Sequence, residues 1–296
     1  MANDKEEYKK LERDIMFELK DNYPIDLDDL EIKNSFNVLN LSINPGSTQK
    51  EIQKNNSEEG KIANIPMPLY SFDFDKKLPQ KIEYIIKEYG INEKYIWRKY
   101  YNPNFEIFKD IKAKYPWVAL KEETIKAEFK AILQKQSDNM GNKFSEEQQK
   151  NHLEELMKFY VKERNDYDEK KLLVFFNDLF WIADSNQKEL LSILEQYKDE
   201  KDIKNFVKEI IDLYIEKYKL GLIVVTNVKA AKYIKNAIED KNEENCMVEY
   251  KYIDKKTKNE KMIPIIFSGY LANGMDQFSK IRLKNDIKKY YDQSHK

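Results

Sequence analysis

The stretch FNVLNLSI, Phe36 to Ile43, runs directly into Asn44-Pro45-Gly46. Eight residues rich in Val, Leu, Ile and Phe, too short for a typical helix, read as a strand buried in a sheet. The turn that stops it has a physical basis: Pro45 fixes φ and lacks an N–H, and Gly46 admits a positive φ. Upstream, Tyr8, Leu11, Ile15 and Leu19 recur at helical spacing and predict an amphipathic helix. Downstream, residues 47–79 form a long irregular segment, a length that compact domains keep for working loops or leave disordered.

Further outward, Ile82, Ile85, Ile86 and Tyr89 predict a helix that follows this strand. Residues 93–167 are helical in pattern and highly charged, with Ser145 and Gln148 spaced as a capping box, and read as a helical insertion. Two apolar runs then recur, each followed by helices. KLLVFFND precedes a helix over SNQKELLSILEQY and another over residues 203–218, and GLIVVTN precedes the helix KAAKYIKNAI. CMVEYKYI and MIPIIFSG flank the polar turn DKKTKNEK as a strand pair, and Ser279 is placed to cap a last helix carrying Ile281, Leu283 and Ile287.

Strands alternating with helices give a parallel sheet covered on both faces, a three-layer α/β/α domain spanning residues 1–296 with the insertion inside it. In such sheets ligands bind beyond the carboxyl ends of the strands. The residues to inspect are therefore Asn44-Pro45-Gly46, Asn177-Asp178, Thr226-Asn227 and Ser268-Gly269.

Composition narrows the function classes. One cysteine, Cys246, excludes a disulfide framework and a cysteine-held cluster, and two histidines leave little for a zinc site. The 52 basic and 53 acidic residues nearly cancel, so any contact with nucleic acid must come from a local patch. The opening MANDKEEYKK lacks the apolar core of a signal peptide, and LGLIVV is too short to cross a bilayer, so the expectation is a cytoplasmic protein with no membrane contact.

Four of these strings together resemble the uracil-DNA glycosylase superfamily. LSINPGS is similar to the first motif of its mismatch-specific branch, VFFNDLFW to the second, GLIVVTNVKAAKYI to a later strand and helix, and IPIIFSGYLANGMDQFSKIRL to the last. The resemblance implies a short, mainly parallel central sheet and a DNA glycosylase that works without metal or cofactor. It implies that Asn44, held by Pro45 and Gly46, orients the attacking water, and that Asn177 reads the polar edge of an extruded uracil, mismatched or modified base. Tyr70 or Phe72 would stack on that base. Ser268, Gly269, Tyr270 and Leu271 would form the loop entering the duplex. Lys280, Arg282, Lys284 and Lys288, with the helix start at Ser279, would meet phosphates.

The chemistry suits these residue types. An amide offers a donor and an acceptor to a base edge, and cleavage of an N-glycosidic bond needs a positioned water and stabilisation of opposite charges. Asn44 cannot accept the water's proton, so a carboxylate is sought among Asp73, Asp75, Asp178 and Asp184. The chain departs from the family where many members carry a His in the last motif: Ser268-Gly269-Tyr270-Leu271 stands there. That departure leaves open slow turnover, a modified viral base as target, or a non-catalytic member of the fold, active in phage–host conflict, that binds nucleic acid or nucleotide. The helical insertion is a candidate surface for a protein partner.

Overall fold

The computed structural model describes residues 25–26, 30–32, 34–42, 67–68, 95–96, 106–139, 144–180, 182–183, 200–239, 246–254, 257–268 and 276–295. The helices expected around Tyr8 to Leu19, Ile82 to Tyr89 and residues 185–197 lie outside them.

Five strands make the main sheet: β1 (Phe36–Ser42), β2 (Leu172–Asp178), β3 (Leu220–Val225), β4 (Met247–Ile253) and β5 (Glu260–Phe267). Their order is β2-β1-β3-β5-β4, with all neighbours parallel except the β4–β5 hairpin. The chain moves from β1 out to β2, then returns to β3 on the other side of β1. That reversal puts the topological switch point at the carboxyl ends of β1 and β3, where open α/β sheets place their ligands.

Strand alternation divides the core in two. On one face Leu39, Leu41, Leu173, Phe175, Ile223, Val225 and Ile265 pack against helices α2 (Glu122–Asn139), α3 (Glu146–Lys170), α4 (Glu200–Tyr218) and α5 (Val228–Ala237). On the other, Val38, Val174, Phe176, Leu222, Val224 and Ile266 meet α1 (Glu106–Asp110) and α6 (Gln277–Ser294). The expected three-layer α/β/α arrangement is therefore present. Each of these apolar side chains contributes roughly 1.5–3 kcal/mol when withdrawn from water.

The helices expected as an insertion are built into this core. Phe129, Ile132, Leu133, Leu156, Tyr160 and Tyr167 from α2 and α3 belong to the same buried cluster as β1. The capping box at the start of α3 forms as its sequence requires: Ser145 Oγ accepts from Gln148 N at 3.2 Å, and Gln148 Oε1 accepts from Ser145 N at 2.9 Å. The helix continues past residue 167 to Lys170 and hands the chain straight to β2 through Lys171, whose carbonyl accepts from Phe36 N at 2.7 Å.

One expectation for α6 is corrected. Its cap is Asp276, whose carboxylate accepts from Ser279 N at 2.9 Å, and Ser279 Oγ donates to the same carboxylate at 2.6 Å. Ile281 is exposed, and Leu283 and Ile287 alone of the three apolar residues face the core. Among the described residues, no helix is long and apolar enough to cross a membrane.

Gly221 marks a tight point. The β1–β3 register shifts between Asn37 and Val38, which pair with Leu220 and Leu222, and a side chain at Gly221 would meet the Phe36 ring at 2.5 Å. Phe36 is itself pinned edge-on to Tyr291 at 6.0 Å. Gly221→Ala is expected to lower stability by about 1–3 kcal/mol in chemical denaturation, the usual penalty of overpacking a closed core.

Candidate functional site at the carboxyl edge of the sheet

The ladder continues beyond the strands and aligns their exits. Leu179 N donates to Ser42 O at 3.0 Å, Thr226 N to Leu41 O at 3.0 Å, and Ser268 N to Val225 O at 2.8 Å. Ser42 is also in register with Asp178. Asp178, Ser42, Thr226 and Ser268 therefore form one row across four parallel strands, polar at every position.

Parity gives that row a face. Counting from Val38, Phe176 and Val224 in the α1/α6 core, Asn40, Ser42 and Asp178 fall on the same side. Asp178 is fully buried, Ser42 and Thr226 are buried, and Ser268 is half-buried. Thr226 Oγ1 is directed at Leu41 O, 3.4 Å away, which fixes its hydroxyl against β1.

Asn40 stands out. It is 0 % exposed, yet neither its Nδ2 nor its Oδ1 has a hydrogen-bond partner among the described residues. A buried polar group left unpaired costs about 1–3 kcal/mol, so core strands ordinarily place an apolar residue at such a position. Here the amide lies two residues before Ser42, below the polar row and flanked in register by Phe176 and Val224.

Asn177, the residue expected to read a base, lies on the opposite face toward α4. It is 1 % exposed, its Nδ2 donates to Tyr218 Oη at 2.7 Å, and its Oδ1 accepts from Asp178 N at 2.9 Å. Tyr218 stacks on Phe175 with centroids 4.8 Å apart, and Tyr214 stacks on Tyr218 at 5.6 Å. Tyr214 Oη in turn donates to Asp178 O at 2.5 Å. Burial pushes the Tyr218 phenol up, against the opposing pull of its bond with Asn177. Asn177, Tyr214 and Tyr218 thus hold the end of β2 from beneath and set the direction of Asp178.

The other expected residues are placed as follows. Asn227 caps α5, its Oδ1 accepting from Lys229 N and Ala230 N at 2.9 and 3.2 Å. On α6, Lys284 is paired with Asp110 of α1 at 3.1 Å, which ties the two helices of that layer together. Arg282 and Lys288 are exposed and Lys280 is half-buried. The start of α6 already holds the Asp276 carboxylate, which competes for the N–H groups that would receive a phosphate. Phe278, exposed at the same helix start, carries an aromatic ring that the sequence reading did not single out. Asn44, Pro45, Gly46, Tyr70, Phe72, Gly269, Tyr270, Leu271, Asp73, Asp75 and Asp184 lie outside the described residues.

Among the described residues no group of three or more His, Cys, Asp or Glu could hold a metal ion. The chain matches no known family, no curated protein and no solved structure.

The two asparagines make opposite predictions. Asn40→Leu, close in shape and apolar, is expected to raise stability by about 1–3 kcal/mol in urea denaturation. Asn177→Leu, which strands the Tyr218 hydroxyl and the Asp178 N–H, is expected to lower it by a similar amount, about 1–3 kcal/mol. A loss of stability in Asn40→Leu would mean that the amide is bonded in the free protein.

Proposed function

We propose that the chain is a DNA glycosylase whose ligand lies across the carboxyl ends of β1 and β3, on the face that carries Asn40, Ser42 and Asp178. One observation carries this reading: the four strings that resemble the glycosylase motifs are the exits of four neighbouring parallel strands. Asn44 follows Ser42 by two residues, and β5 leads into the segment that ends at Asp276. Parallel pairing brings these exits, distant in sequence, to the one edge where open α/β sheets bind their ligands.

In this reaction the water oxygen bonds to C1′ of the sugar, and the N-glycosidic bond breaks with its electron pair on the base. The sugar carries positive charge in passing. Asn44 would orient the water. Of the four carboxylates considered from sequence, Asp178 is the described one at this edge, so it would stabilise the sugar and take the water's proton. Base reading falls to Asn40, because Asn177 has one N–H and one lone pair already committed to Tyr218 and the backbone. Among the described residues, Asn40 keeps its full set of donors and acceptors for a base edge.

A second reading keeps the site without the reaction. It is favoured by Ser268 at the place where many family members have their base-stabilising His: a chain without that donor can bind an extruded base or a free nucleotide and leave it intact.

Labelled oligonucleotides carrying uracil, mismatched thymine, hypoxanthine or modified cytosines separate the two through alkali-labile abasic sites. Wild-type protein is expected to release one of these bases. Asp178→Asn should slow release by about 10²–10⁴-fold, the range for loss of a general base, and Asn44→Ala by roughly 10²-fold through loss of positioning. Binding without release selects the non-catalytic reading. Neither binding nor release rejects both.

A further inference from the structure

We infer that β4 is a homodimerisation edge, and that two copies of the chain join their sheets through antiparallel β4 strands related by a two-fold axis at Tyr250.

β4 ends the main sheet, and the hydrogen-bond pattern of the hairpin fixes which groups its outer edge presents. Phe267 N donates to Cys246 O at 2.8 Å, and Asp254 N to Asn259 O at 3.0 Å. Bonded pairs alternate along an antiparallel ladder, so Val248, Tyr250 and Tyr252 direct their main-chain groups at β5. The N–H and C=O groups of Met247, Glu249, Lys251 and Ile253 therefore point outward. The same four residues carry exposed side chains, Met247 at 42 % and Ile253 at 50 %, while Tyr250 and Tyr252 are buried against the α4 layer.

Pro264 extends this surface. It has no N–H, and the β3–β5 pairing begins only after it, at Ile265, so the distal half of the hairpin stands beyond the other strands. Met262, 52 % exposed, sits opposite Lys251 on that half and adds to the same apolar strip as Ile253.

A long exposed edge invites pairing unless its charges forbid it. Because the outward residues are the odd-numbered ones, two copies can bond with their axis at Glu249, at Tyr250 or at Lys251. An axis at Glu249 or Lys251 sets like charges face to face. An axis at Tyr250 sets Glu249 opposite the second copy's Lys251 twice, and Met247 opposite its Ile253 twice. Opposite charges directly across an antiparallel pair stabilise it and like charges oppose it, so the sequence selects that one register. Four bonded pairs give about eight main-chain hydrogen bonds. Lys251 already meets Glu260 of its own chain at 2.7 Å, so its ammonium would lie between two carboxylates, whereas Glu249 has no ion pair among the described residues.

Sedimentation analysis of the full chain tests this. Wild type is expected to be a dimer. Glu249→Lys alone, and Lys251→Glu alone, should each weaken dimerisation by about tenfold or more, since two attractive pairs become repulsive. A one-to-one mixture of the two variants restores opposite charges at every position and should dimerise again, which also shows that both variants are folded. A monomeric wild type, a dimer indifferent to either reversal, or a mixture that stays monomeric would each overturn the inference.

Discussion

Strand β1 is hydrogen-bonded on both sides and buried on both faces, and this double constraint organises the rest of the molecule. β2 and β3 are its parallel neighbours, and parallel pairing requires that each arrive by a crossover. Parallel pairing then sends every exit to one edge, so polar residues distant in sequence form a single row. The same burial leaves no water to satisfy a polar side chain on β1. An asparagine within it must be bonded by the protein, wait for a partner, or destabilise the strand.

Asn37 and Asn40 show both outcomes on one strand. Asn37, on the α4 side, donates to Tyr218 O at 2.8 Å and accepts from Ser35 Oγ at 2.8 Å, and so ties the start of β1 to the end of α4. Asn40, on the other side, keeps both amide atoms unpaired among the described residues. Proteins hold such unfavourable groups where function needs them more than stability does. That is the physical ground for placing the ligand above Asn40.

Much of the frame was legible in the sequence. FNVLNLS, LLVFFND and LGLIVV are continuous apolar runs, the mark of strands covered on both faces, and β4 alternates as an edge strand should. The faces were not legible. Asn177 and Asp178 are adjacent in sequence and point to opposite layers, and side-chain period fixes direction only once one residue of the strand is placed. Asn40 was hidden inside a run read as core; its even spacing from Ser42, against the odd spacing of Asn37, was the available signal. At α6, Asp276 and Ser279 are both good caps, and only the geometry shows that the carboxylate accepts the Ser279 N–H. The charged helices before β2 looked like an addition because their buried stripe is narrow against a polar majority. Phe129, Tyr160 and Tyr167 make that stripe part of the central core.

On the proposed function, the base sits on the α1/α6 face of the carboxyl edge. A crystal structure with an oligonucleotide carrying a non-hydrolysable analogue of the released nucleoside tests it most directly. The base should lie over the ends of β1 and β3, within hydrogen-bond distance of the Asn40 amide and beside Asp178. A base seated on the opposite face against Asn177 and Tyr218, or bound away from this edge, would contradict it.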